Sequence, residues 1–452
     1  MRADVTIQPP TVGWPGQVGS RSELARQTRL ALGLPGDRIV VMSGHQAQLW
    51  HAGIAAKAFA ATQVAHAVGG VSAWVTVDQD ATDPGAIAYP TTDLQTAIWR
   101  LDPGTGAAVR KSELAAVGTR PAERAFAEVP ANMHVQVQLG AQNVLKALQC
   151  HADASTLATQ FSAAAFEPLH GLAPIDTQCC ATALAGTAIF DAALSLMQHA
   201  PRLCAERYNS AIAGVPAARL RPLVVTDTRI ELPLWRVRSN MPRTPVFAHD
   251  LASVPREQLA PRALLMTALL RAAACDVFIH GVGGGVYDQA TDAWWHAWLA
   301  DASHVSAQSL RALPLAPTAV VTATRRVQFA GAHVPTPQEI DAAVWRAHRT
   351  NHDVAVLGPA ATTRKQELLQ ALAQAPRRSA TRRAMFRELH RLIAEAREHG
   401  ADAISKAKVD AQIALQSRAV AETAHARTWS CAFLPRATLE ELCYSVGREL
   451  QL

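Results

Sequence analysis

Four short stretches hold the residue types from which chemistry is built: Ser43-Gly44-His45-Gln46, Asp78 to Asp83, Asp227, and His280 through Asp288. An imidazole titrates near neutral pH and a neighbouring carboxylate can orient it, so His beside Asp is a common means of moving a proton. His45, Asp78, Asp80 and His280 are therefore the candidate catalytic residues. Backbone N–H groups at the start of a helix, cleared by glycine, suit an anion such as a phosphate or carboxylate. Ser43, Gly44 and Gln46, with Gly281, Gly283, Gly284 and Gly285, are the candidate ligand-binding residues on that ground.

Each stretch has a purely structural reading beside the chemical one. The glycine run matches neither GxGxxG nor the phosphate-loop pattern ending in GK[ST], and a tight loop would look the same. Asp78, Asp80 and Asp83 offer oxygens to a divalent cation, yet Asp83-Pro84-Gly85 is an ordinary turn, and no metal is assigned. His45 and His51 are six apart, off any shared helical face, which argues against a metal-binding pair. The structural reading of the two histidines has His45 bonding within its own turn and His280 capping a strand. Trp294, Trp295 and Trp298 read as core or interface packing. The arginines from Arg377 to Arg397 alternate with Glu388, Glu395 and Glu398, the pattern of an ion-paired solvated helix face rather than a nucleic-acid surface.

Positioning these residues takes an α/β frame. Ile39-Val40-Val41-Met42, Val71 to Val77, and Val277-Phe278-Ile279 are apolar on both faces, as strands of a mainly parallel sheet must be. Ser43–Gln46 follows the first as a turn. A helix then runs to about Val68, with Ile54, Ala58, Ala61 and Ala65 on one face, and Gly69-Gly70 ends it. That makes a βαβ unit. Arg262 to Cys275 predicts a helix, Gly281–Gly285 a loop, and Leu223 to Asp227 a further strand. Ligands in such sheets bind beyond the carboxyl ends of the strands, which selects the four stretches above.

The expected organisation is a core over 1–100, a mostly helical insertion over 101–215, and a second core part with a connecting subdomain over 216–375. A helical arm over 376–426 and a segment over 427–452 that packs back on the core complete it. In the arm, Phe386, Leu389, Ile393 and Ala396 form one stripe and Val409, Ile413 and Val420 a second, weakened by Gln416. Joined at Gly400, they predict an antiparallel hairpin or a single bent helix, with self-association into a homodimer.

Composition bounds the rest. At 452 residues and 49% hydrophobic, the chain can bury a large core. A net charge of +6 over this length, mostly arginine, lacks the concentration expected of a nucleic-acid binder. Seven cysteines without a CxxC spacing fit reduced thiols better than a disulfide framework. With no signal-peptide pattern and no apolar run near the roughly 20 residues of a membrane span, the expected location is cytoplasmic.

In this order the motifs resemble the bacillithiol biosynthesis cysteine-adding enzymes. Those proteins carry a strand ending in a T-G-Q-Q turn that opens a helix, which stands here as Ser43-Gly44-His45-Gln46. One strand later they carry a tryptophan followed closely by E-D-H-D; here Trp74 is followed by Asp78-Gln79-Asp80. A helix, a short strand and a glycine-rich loop with a tyrosine are similar to Arg262 through Tyr287, which adds Tyr287 to the binding residues. A long C-terminal coiled-coil arm also matches in position. His45 departs from the family's glutamine. Without gaps, Asp78 falls on its glutamate and Asp80 on its histidine. The resemblance implies a diverged relative with a Rossmann-like core, connecting subdomains and a dimerising arm. It further implies a pocket for an ATP- or ADP-like nucleotide and a ligase step joining cysteine to a glucosaminyl-malate amine, an amino-sugar acceptor. The alternative is a non-catalytic or differently specific small-molecule or nucleotide-binding dimer that has lost the acidic–histidine motif.

Overall fold

The two-sided apolar runs form the centre of a sheet. The computed structural model describes residues 4–9, 22–101, 113–122, 126–329, 334–350 and 359–451. Its first elements are β1 (Asp4–Gln8), α1 (Glu23–Ala31), β2 (Val40–Gln46), α2 (Ala52–Ala67) and β3 (Val71–Val77). There follow β4 (Ala86–Pro90), β5 (Thr96–Arg100), α3 (Val135–Cys150), α4 (Leu157–Phe166), β6 (Thr177–Cys180), α5 (Ala188–His199) and α6 (Pro201–Gly214). Next come β7 (Glu231–Arg238), β8 (Met241–Phe247), β9 (Leu259–Pro261), α7 (Ala263–Leu269), β10 (Val277–His280), α8 (Val282–Asp301), α9 (Val305–Arg311) and β11 (Thr318–Thr324). The C-terminal part holds α10 (Pro337–Thr350), α11 (Pro359–Gln374), α12 (Ala380–His399), α13 (Ala401–Gln416), α14 (Arg418–Ala424) and α15 (Arg436–Glu449).

The chain is a mixed α/β protein with a mostly parallel six-stranded sheet of order β1-β11-β10-β2-β3-β6. Only β1 runs antiparallel to its neighbour. The three predicted strands lie side by side in it, in parallel register. Val40, Met42, Ala73, Val75 and Phe278 point to one face and share a core with Leu265 of α7 and Trp294 and Trp298 of α8. On the other face Trp74 packs against Trp50 at 4.5 Å and, edge-on, against Phe166 of α4. The three tryptophans of α8 are buried, as expected of packing residues. Trp294 and Trp298 stack at 5.2 Å, a contact that contributes about 1 kcal/mol beyond its buried area.

Several expectations need correcting. Ser43–Gln46 is no turn: β2 runs on to Gln46, because β3 pairs with it up to Gln46↔Val77. Helix α2 therefore starts only at Ala52, capped by His51. The glycine run is no loop either, since it forms the first turn of α8 after Gly281. Leu223–Asp227 makes only an isolated bridge, Val225↔Ile230, and the strand comes later as β7, in an antiparallel sheet of order β8-β7-β9. The stretch 101–215 does not stand outside the sheet, because its β6 pairs with β3 in parallel.

The chain divides into two compact units. One holds Met1–Tyr89, Ala97–Arg326 and Arg427–Leu452; the other holds Pro90–Thr96 and Val327–Ala426. The closing segment thus belongs with the sheet, while the helical unit begins well before residue 376. Within that unit α12 and α13 do not form an antiparallel hairpin. Gly400 continues the backbone ladder, with Gly400 N bonded to Ala396 O and Ile404 N to Gly400 O, so they form a bent helix. Each half has its own partner. Leu389 of α12 packs with Leu368 and Leu372 of α11, and Ala407 and Ala411 of α13 pack with Ala347 of α10. Phe386, Val409 and Ile413, all counted in the predicted stripes, stay exposed. Arg364–Glu388 and Arg391–Glu395 are among the ion pairs on its surface.

Candidate functional site

Strand β2 leads through α2 to β3 on one side, and β10 leads through α8 and α9 to β11 on the other. The chain's connections diverge between β2 and β10, and open parallel sheets bind ligands outside the carboxyl ends of the strands at such a point. The starts of β2 and β10 are tied together. Asp276 accepts a hydrogen bond from Val40 N at 2.7 Å, and buried Arg29 lies 3.0 Å from the same carboxylate oxygen. Ser43, half of the predicted anion cradle, is fully buried, and its hydroxyl donates to Ile279 O at 2.8 Å. It joins the two strands and does not face a ligand. Gly44 lies beside Val75, where an added Cβ would sit 2.3 Å from the valine side chain. Gln46 ends β2, half-buried.

Residues in register on parallel strands point to the same face, and side chains alternate along each strand. Ile279 is level with Ser43, so His280 is level with Gly44 and faces α8 with Phe278. His45 is one residue further and faces α2. The two histidines therefore lie on opposite faces and do not converge.

His280 is paired on its own face. Its Nε2 lies 2.9 Å from Asp288 Oδ2, two turns into α8, at ion-pair distance but outside hydrogen-bond geometry. Asp288 is in turn 3.3 Å from Arg271, whose Nη1 reaches Asp292 at 2.6 Å and whose Nε donates to Ala316 O at 2.9 Å. His280, Asp288 and Arg271 are all nearly buried. A histidine oriented by a carboxylate that a buried guanidinium steadies can serve as acid or base, and such contacts commonly tighten when substrate binds. Asp288 lay within the stretch marked in the sequence, but its pairing with His280 depends on the helix starting at Val282.

That helix start also explains the glycines. None of Gly281, Gly283, Gly284 and Gly285 takes the left-handed conformation. Close approach selects two of them: a Cβ on Gly284 would lie 2.3 Å from His280 Nδ1, and one on Gly285 2.5 Å from Val320 Cγ2. Gly283 is exposed, and Tyr287 is half-buried against the core. Gly285 N is the first to bond back, to Gly281 O, which leaves the N–H groups of Val282, Gly283 and Gly284 without intrahelical acceptors. Gly284→Ala gains about 1 kcal/mol of helix propensity. The displaced imidazole outweighs that gain, because overpacking of this kind costs roughly 1–3 kcal/mol. The variant should melt lower and shift the His280 ring signals in NMR; an unchanged spectrum would contradict the fit described here.

On the α2 face, His45 is half-buried. Burial, then the nearby charge of Lys57, hold it down to about 3, so it stays neutral at physiological pH. Its Nδ1 lies 3.3 Å from Gln46 O, of the next residue in β2. Neither Asp78 nor Asp80 acts on it. Asp78 is instead buried at the end of β6, accepting from Thr182 N at 2.9 Å and from the Thr182 hydroxyl. Burial raises its carboxyl above the ordinary value. Asp80 is 3.2 Å from Arg243 and accepts from Thr82 Oγ1 at 2.8 Å. Asp83 lies near Arg100 and Arg120. These carboxylates hold loops together. Asp227 is fully exposed, beside the isolated bridge Val225↔Ile230 and 3.9 Å from Arg202.

The residue that sequence reasoning missed is Lys57. It sits in the second turn of α2, the lone lysine in an otherwise apolar, alanine-rich helix. Its side chain is buried, and Nζ donates to Gly44 O at 2.5 Å and lies 5.4 Å from the centre of the Trp74 ring. A Cβ on Gly281 would lie 3.9 Å from Lys57 Cδ, so the stem runs beside the residue that caps α8. Burial lowers the amine to about 7. Among the described residues no carboxylate lies within ion-pair distance of it. The available signal was a charge at a helical position where every neighbour is apolar.

All seven cysteines are free, and burial pushes the Cys179 thiol up to about 12. Among the described residues, no helix is long and apolar enough to cross a membrane, and no cluster of histidine, cysteine and carboxylate has metal-ligating geometry. No family model matches this chain, and no curated protein matches it either.

Proposed function

We propose that the protein is an enzyme that holds an anionic small molecule outside the carboxyl ends of β2 and β10 and uses His280 as its acid–base group. The observation that carries this reading is the His280–Asp288–Arg271 series beside a helix start with unpaired N–H groups, at the point where the sheet's connections diverge. The reaction we assign is the one the motif resemblance implies: a carbon–nitrogen ligase step that joins cysteine to an amino-sugar acceptor, on a Rossmann-like core with an ATP- or ADP-like nucleotide. Forming the amide breaks an N–H bond of the amine and a C–O bond of the cysteine carboxyl; the oxygen would leave on a phosphoryl group supplied by ATP, and the amine's proton would go to His280. Lys57 and the first turn of α8 suit the phosphate or carboxylate. The test is a thermal-shift screen of nucleotides, cysteine and glucosaminyl-malate. A ligand at a hundred times its dissociation constant raises stability by about 2.7 kcal/mol, and no shift with any of them would reject the assignment.

A specific observation favours a second reading. Asp78 and Asp80, which fall on the family's acidic motif, are spent on Thr182 and Arg243. A small-molecule or nucleotide-binding dimer that has lost that chemistry would look the same there. The two readings part on whether cysteine is consumed.

We also propose a cytoplasmic homodimer formed through the helical unit. Exposed Val409 and Ile413, one turn apart on α13, support it, since neighbouring exposed apolar side chains of that size commonly mark interfaces. Val409→Glu combined with Ile413→Glu should turn a dimer into a monomer in light scattering at micromolar concentration. A wild-type monomer at that concentration would remove the proposal.

A further inference from the structure

A buried lysine ordinarily has a counter-charge, and Lys57 has none among the described residues. Of its three N–H donors, one is used, on Gly44 O. The side chain is buried, and its stem passes Gly281, the residue before the α8 turn whose first N–H groups have no intrahelical acceptor. An ammonium left in that position is strongly disfavoured unless an anion joins it. A lysine without a carboxylate among the described residues thus runs beside the residue that caps a helix start without intrahelical acceptors. Both are satisfied by the same guest.

From this arrangement we infer that Lys57 is the counter-charge for the ligand's oxyanion, a carboxylate or a phosphate, and takes up a proton from solvent as that oxyanion binds. The inference rests on the carboxyl ends of β2 and β10 being the ligand site. In balanced form, neutral amine, solvent proton and oxyanion give an ammonium–oxyanion pair, and no covalent bond changes. Its low value in the free protein, about 7, supports the neutral starting state. The other titratable groups that act here are His45 and His51. Burial is the main cause lowering both, and Lys57 contributes to each; Arg427 also acts on His51. Below pH 7 the lysine is already charged and uptake fades; above it, affinity falls as the pH rises.

Calorimetry on the full-length protein at pH 8, in Tris and in Hepes, tests this with two matched pairs of probes. ADP against adenosine differs by the phosphates, and L-cysteine against cysteamine differs by the carboxylate. The anionic member of at least one pair should bind tenfold or more tightly than its mate, and the responding pair identifies the oxyanion. Lys57→Arg keeps a permanent charge and should bind without the uptake, so the wild type should take up about 0.9 proton more than this variant. Lys57→Met should lose the preference for the anion. Equal uptake in wild type and Lys57→Arg would overturn the inference. So would an unchanged anion preference in Lys57→Met, or failure of all four probes to bind at millimolar concentration. If either variant fails to fold, uptake by the wild type near zero is itself decisive against it. Proton uptake without any amide product would leave this inference standing and sink only the ligase assignment.

Discussion

Lys57→Met should stabilise the folded protein by on the order of 4 kcal/mol at pH 7 in the absence of ligand. The size follows from burial, which lowers the amine from 10.5 to about 7. The sign can be worked out from proton counts. Between about pH 7 and 10.5 the unfolded chain binds a proton that the folded chain does not, so wild-type stability rises with pH through that window. The penalty is fully present below pH 7 and gone above 10.5. Methionine carries no such penalty, fills similar volume and suits an apolar helix. The advantage of Lys57→Met, read by urea denaturation, should therefore be largest at pH 6–7 and shrink towards pH 10.5. A variant no more stable than wild type at pH 7 would mean that Lys57 already has a partner. A residue that weakens the fold this much is expected where function requires it.

His280→Ala should lower turnover by roughly a hundredfold to ten-thousandfold in a protein that still folds. The side chain ends β10 nearly buried against Phe278, so the variant loses some packing and melts somewhat lower. Arg271 keeps Asp292 and Ala316 O, so the buried guanidinium does not lose all its partners. Anion binding, which we assign to Lys57 and the α8 start, should survive. Asp288→Asn should fall between wild type and His280→Ala, because it leaves the imidazole in place without its orienting charge. Steady-state kinetics on both variants check this: a loss in KM alone, with kcat unchanged, would make His280 a binding residue and remove it from the chemistry.

Much of the frame could be read from residue types. The runs at β2, β3 and β10 are apolar on both faces, and only parallel strands covered by helices on both sides satisfy that. Gly69, at positive φ, ended α2 as predicted. Where each strand ends was less legible. Ser43-Gly44-His45-Gln46 looks like a turn by composition, yet pairing with β3 draws it into the sheet, and tertiary pairing outweighs local preference. That extension changed the candidate site. It buried Ser43, set His45 and His280 on opposite faces, and moved the helix start we propose for the anion from α2 to α8. The hairpin failed for a similar reason. A glycine between two stripes permits a reversal but does not impose one, and α10 and α11 offered each half a separate partner. Lys57 went unnoticed because a single lysine in a helix is usually solvated, and only packing reveals that this one is buried.

The measurement that bears most directly on the central claim is a mass-spectrometric assay of the full-length protein with cysteine and glucosaminyl-malate, with and without ATP, run beside His280→Ala. The account predicts a new amide product in the wild type, reduced a hundredfold or more in a variant that still binds ADP or cysteine as the wild type does. Product formed at the wild-type rate by folded His280→Ala, or bound substrates with no product from the wild type, would contradict it.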